Sequence, residues 1–247
     1  MQDAIMLFGD SLTELSVDAG GLGQKLSSAY GSLDTVYEYT CSRRPSCLVV
    51  YKRKMDVLNR GFSGYNTNWA VPIFEQVRLY LVECIAALNP SEQIFATKTE
   101  QQHVPKVRLL TIWFGANDAA VSSNRQHVPL ETFSANLSTL IHMVTDAESS
   151  YYSPETKIIL ITPPPVNTHQ WGAYKASKEP PEQLDRHFET TKTYAEAVKD
   201  VAKKEGVQAC DIWTAMWKAA GEVEEELKRF MTDGLHLNAD GYQVKVI

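Results

Sequence analysis

Five short apolar runs recur along this chain, and longer amphipathic stretches separate them. The runs are AIMLFG (4–9), DVLNRG (56–61), RLLTIWFG (108–115), KIILIT (157–162) and VQACDI (207–212). Their apolar character is nearly continuous, which predicts strands covered on both faces. Between them, Val71, Phe74, Val77, Leu81 and Ile85 predict a helix over 67–88, and Phe133, Leu137, Leu140 and Val144 one over 129–147. A third helix is expected to open at Pro180-Pro181 and end at Gly206, with Leu184, Phe188, Tyr194, Val198 and Val201 as its apolar stripe. Strands alternating with helices imply βαβ units, a parallel sheet and right-handed crossovers. The expected architecture is therefore α/β and doubly wound, a single domain over residues 1–247.

Composition removes several function classes. A net charge of −6 argues against nucleic acid or an anionic membrane as the main partner. No apolar run approaches the length of a membrane span, and the opening MQDAIMLFGDS is too short and wrongly flanked for a signal peptide. Cys41, Cys47, Cys84 and Cys210 lack metal-ligand spacing, and a disulfide framework is not expected. The reading is a cytoplasmic protein without metal or cofactor. No strand runs into a G-x-G-x-x-G or P-loop pattern, so a nucleotide site is not supported either.

In open parallel sheets, ligands bind beyond the carboxyl ends of the strands. Ser11 follows the first run, the GFSGYN loop (61–66) the second, and GANDA (115–119) the third, so three polar, glycine-containing loops should open onto one rim. Near the C-terminus, TDGLHLNADGY places Asp233 three residues before His236. That spacing lets a carboxylate hold one imidazole nitrogen while the other takes a proton from a serine hydroxyl, which is a poor nucleophile without such a base. Gly64 N–H and the Asn117 amide are suitable donors for a developing oxyanion. Each residue also has a plainer reading: Ser11 as a helix N-cap, Gly64 as a turn glycine, Asn117 and Asp118 as Asx-turn or capping residues. Asp118 is assigned the structural role. His169 and Trp171, in TPPPVNTHQW, border the acyl or alcohol pocket on one reading and a rigid proline-ordered loop on the other.

The four ordered blocks FGDS, GFSGYN, GAND and DGLH resemble those of the SGNH hydrolases, also called GDSL-type esterases and lipases. The phrases VLNRGFSGYNT, WFGANDA and DGLHLNADGY are most similar to the isoamyl acetate-hydrolysing esterases of that family. The resemblance implies a three-layer, flavodoxin-like α/β/α fold with a mainly parallel five-stranded sheet. It implies Ser11 as nucleophile, His236 as general base and acid, and Asp233 as its orienting partner. Ser11 N–H, Gly64 N–H and the Asn117 amide would form the oxyanion hole. The implied activity is metal-free hydrolysis of small short-acyl esters, acetates among them, and a homodimer is compatible by analogy. The rival reading is a catalytically silent protein of the same fold that acts as a binding module.

Two features depart from the family pattern. Residues 31–50, GSLDTVYEYTCSRRPSCLVV, lengthen a connection that is usually short, as a hairpin or as retained intervening sequence. If translated, the segment is expected to sit outside the core, because loop insertions cost little when their ends stay close. After HLNADGYQVKVI, only Tyr242 to Ile247 remain to form a final helix, so a less firmly held His236 loop is expected.

Overall fold

The computed structural model describes residues 3–18, 20–30, 55–76 and 95–244. The atypical segment 31–50, the second half of the helix expected over 67–88, and residues 245–247 lie outside these. Five strands form one sheet: β1 (Ala4–Gly9), β2 (Asp56–Gly61), β3 (Val107–Trp113), β4 (Lys157–Ile161) and β5 (Gln208–Cys210). Their order is β2-β1-β3-β4-β5, and every pairing is parallel. That is the doubly wound order in which the chain reverses direction between β1 and β3.

Alternate side chains of each strand leave the sheet on opposite faces. Met6, Phe8, Leu110, Ile112, Ile158 and Leu160 join one core with α3 (Thr67–Gln76), α4 (Leu130–Thr145) and α6 (Phe188–Glu205). Trp113 and Ile161 join a second core with Leu12 of α1 (Ser11–Glu14), Trp171 of α5 (Thr168–Ala176) and Met216 of α7 (Ile212–Ala219). A further helix, α2 (Leu22–Tyr30), runs beside β2. The stripe predicted for α4 is fully buried at Phe133, Leu137, Leu140 and Val144.

Two sequence expectations need correction. Coverage on both faces holds for β1 and for the C-terminal half of β3, but β2 is only half-buried and β5 is partly exposed, because both are edge strands. The helix expected from Pro180 begins instead at Phe188, and the preceding residues, 181–187, form an irregular strap. Buried polar contacts hold that strap: Trp171 Nε1 donates to Asp185 Oδ1 at 2.8 Å and Arg186 Nε to the Ala116 carbonyl at 2.8 Å. These buried contacts with α5 and with the loop after β3 outweigh the helix-start signal of Pro180-Pro181.

The chain's last described turn is tied to the element carrying Ser11. Asn238 Oδ1 accepts from Gly241 N at 2.9 Å, and Tyr242 donates its hydroxyl to the Leu12 carbonyl at 2.7 Å while packing edge-on against Trp113. Tyr242→Phe removes that hydrogen bond at constant shape. It should cost about 1 kcal/mol and lower Tm by roughly 2–4 °C in a calorimetric scan. An unchanged Tm would show that this hydrogen bond contributes nothing to holding α1.

Candidate active site

The structure brings Ser11, Asp233 and His236 together. Ser11 sits at the start of α1, directly beyond β1, and is 9% exposed. Its neighbour Asp10 supplies the N-cap: Oδ1 accepts from Leu12 N at 2.9 Å. The acid beside the serine thus fixes the short helix, and the capping reading of Ser11 itself does not hold. Ser11 Oγ lies 3.0 Å from His236 Nε2, and His236 Nδ1 lies 2.7 Å from Asp233 Oδ2. The second oxygen of Asp233 accepts from Leu235 N and His236 N at 2.9 and 2.8 Å, so the carboxylate orders the loop as well as the ring. Gly234 lets this loop lie against α5. It has φ +98°, and a Cβ there would come within 2.5 Å of Trp171 N.

Electrostatics follow from these contacts. Burial pushes the His236 pKa down, but the hydrogen bond and charge of Asp233, helped by Asp10, outweigh it, and the net shift is up from 6.5. Burial likewise works to raise Asp233, yet its bonds to the imidazole and to backbone N–H groups bring it below the usual range. Asp10 is different. Fully buried, it is pushed up to about 7 by desolvation, with Asp118 adding to the rise.

Gly64 and Asn117 stand in the loops after β2 and β3. Gly64 has φ +80°, a conformation that an L side chain rarely adopts, and Gln126 Nε2 would lie 3.4 Å from any Cβ added there. Among the described residues, neither Ser11 N–H nor Gly64 N–H has a hydrogen-bond partner. The buried Asn117 donates from Nδ2 to the Tyr65 carbonyl at 2.8 Å, which occupies one of its two N–H groups. Asp118 behaves as expected: Oδ1 accepts from Thr67 N and Thr67 Oγ1 at 2.9 and 2.6 Å, capping α3. Of the two flanking candidates, Trp171 is buried edge-on to His236, whereas His169 is exposed and faces Glu225 at 3.7 Å.

Sequence reasoning missed Gln126 and Arg186. Gln126 Nε2 donates to the Gly64 carbonyl at 2.7 Å and to Asn117 Oδ1 at 3.2 Å. Arg186 is 2% exposed, and its Nη2 donates to Gln126 Oε1 at 2.8 Å and Asn117 Oδ1 at 3.2 Å. Gln126 lies in a polar loop with no pattern to mark it. Arg186 left one faint sign, a charge close to residues read as an apolar stripe.

The profile of the GDSL-like lipase/acylhydrolase family matches residues 7–244. The chain belongs to that family. It is a carboxylic-ester hydrolase by that membership. A GDSL esterase/lipase of Arabidopsis thaliana is 34% identical over 98% of this chain and 81% of its own length. An isoamyl acetate-hydrolyzing esterase 1 homolog of Bos taurus is 33% identical over 96% of this chain and 76% of its own. In fold, the chain is similar to a lipase/acylhydrolase from Enterococcus faecalis, with TM-score 0.56 and 22% identity over 98% and 90% of the two chains.

An imidazole held in this way must be neutral to accept a proton, so hydrolysis should rise with pH through a pKa above 6.5. Removing the Asp233 charge removes the main upward influence on that pKa. Asp233→Asn should therefore move the acid limb of the kcat profile to lower pH and reduce kcat by roughly 10³–10⁴. A limb that stays in place would contradict the pairing.

Proposed function

We propose that the protein hydrolyses small, short-acyl carboxylic esters, acetates among them, through an acyl-enzyme on Ser11. The observation that carries this reading is the unbroken line from Ser11 Oγ to His236 Nε2 at 3.0 Å and from His236 Nδ1 to Asp233 at 2.7 Å. A hydroxyl so placed loses its proton to the imidazole as it attacks.

The ester carbonyl oxygen would sit among Ser11 N–H, Gly64 N–H and the second N–H of Asn117. Attack by Ser11 Oγ forms the new C–O bond and a tetrahedral oxyanion, and His236 takes the hydroxyl proton. Collapse expels the alcohol, to which His236 returns that proton, and leaves the acyl group on Ser11. Water then attacks the acyl carbon from the same side, giving its proton to His236. The acid departs as His236 reprotonates Ser11. Asp233 keeps the imidazole in the required tautomer and stabilises the imidazolium without itself taking a proton. The three donors meet charge that exists only after attack, so they favour the transition state over the bound ester.

The acetate preference rests on the likeness to the bovine isoamyl acetate-hydrolyzing esterase 1 homolog. A cytoplasmic location and one catalytic domain over residues 1–247 belong to the same reading. Rates on p-nitrophenyl esters from acetate to decanoate test it. Acetate or butyrate should be fastest, and Ser11→Ala should lose at least about 10³-fold in kcat. Equal background rates in both proteins would favour the silent binding module instead.

A further inference from the structure

Two of the three donors in the mechanism above, Gly64 and Asn117, come from different loops, and some group must hold them in register. Gln126 touches both. Its Nε2 reaches the Gly64 carbonyl at 2.7 Å and Asn117 Oδ1 at 3.2 Å. Its own backbone is held in turn: Asn66 Nδ2 donates to the Gln126 carbonyl at 2.9 Å, and Gln126 N donates to Asn124 Oδ1 at 2.9 Å.

An amide side chain has two ends of nearly equal shape, so something must decide which end faces which partner. Arg186 does so here. A guanidinium only donates, and its Nη2 meets Gln126 Oε1 at 2.8 Å and Asn117 Oδ1 at 3.2 Å. Both amides must therefore turn their oxygens to it. With Oε1 taken, Gln126 has only its NH2 left for Gly64 and Asn117. With Oδ1 taken twice, Asn117 has only its NH2 left for Tyr65 and the substrate. Reversing either amide would set N–H against guanidinium N–H inside the protein. The Arg186 fork is itself fixed by the Ala116 carbonyl and by Asp185, which Asn124 also contacts at 2.8 Å.

We propose that Gln126 is a positioning residue that holds Gly64 and Asn117 in register, with Arg186 setting the sense of both amides. This rests on the oxyanion-hole reading given above. Among the described residues Gln126 makes no hydrogen bond to Ser11 or His236, so it acts on the rate through the two donors.

A double-mutant cycle on p-nitrophenyl acetate hydrolysis tests the proposal. Gln126→Ala should lower kcat by about 10–10², with KM changed by less than about 2-fold and the acid limb of the pH profile unmoved. In an Asn117→Ala background the same substitution should cost clearly less, because one of its two targets is gone. An unchanged kcat, or the same loss in both backgrounds, overturns the proposal. Should Gln126→Ala melt below the assay temperature, the isosteric Gln126→Glu decides. Its carboxylate still accepts from Arg186 but sets an oxygen against Gly64 O and Asn117 Oδ1. A folded Gln126→Glu protein with lowered kcat supports the proposal, and one with parental kcat overturns it. Parental hydrolysis that survives Ser11→Ala would instead refute the functional reading on which the proposal stands.

Discussion

The hydrogen bond between Ser11 Oγ and His236 Nε2 joins residues 225 positions apart, and most of the fold can be understood as the means of making it. Ser11 is fixed by the end of β1, by the Asp10 cap and by the reversal of strand order between β1 and β3. His236 arrives from the other end of the chain on a loop with its own internal carboxylate. That loop is fastened by Asn167 N donating to the Gly234 carbonyl at 2.9 Å, and the turn after it by Tyr242 donating to Leu12. On the proposed mechanism, displacing either side by about 1 Å would cost on the order of 10²-fold in rate, so these anchors bear directly on it.

The site is held by buried ionisable groups that do not favour folding. Asp10 and Asp118 are pushed up to about 7 and about 6, chiefly by burial, from an ordinary 3.8. A carboxyl whose folded pKa is raised binds its proton more tightly in the native state. Its contribution to stability is present below 3.8 and declines as pH rises through the folded value. At neutral pH both therefore oppose folding. Arg186 is lowered, again by burial first, with Asp185, Asp10 and Asp118 opposing that. Strain of this kind, concentrated under one rim, marks where the fold gives up stability for geometry.

The sheet and the candidate site were legible in the sequence because each has a short-range signature. Apolar runs mark the strands, and helical spacing marks α4, where apolar residues recur from Phe133 to Val144. Asp233 and His236 are three residues apart, so their contact is local. Ser11, Gly64 and Asn117 became readable once the strands placed their loops on one rim. The strap before α6 was not legible, because Pro-Pro signals a helix start just as well as a crossing segment. Only tertiary partners, Trp171 and Ala116, decide between these. Gln126 was hidden for the same reason: the partners of its side chain, Gly64, Asn117 and Arg186, lie 62, 9 and 60 positions away.

The central claim is that Ser11 is made nucleophilic by His236. The most direct measurement is peptide mapping by mass spectrometry after reaction with a fluorophosphonate, on the parent chain and on His236→Ala. The account predicts a single adduct on Ser11 that forms in the parent and is lost in the variant. An adduct absent from the parent, placed on another residue, or formed equally fast without His236 would contradict it.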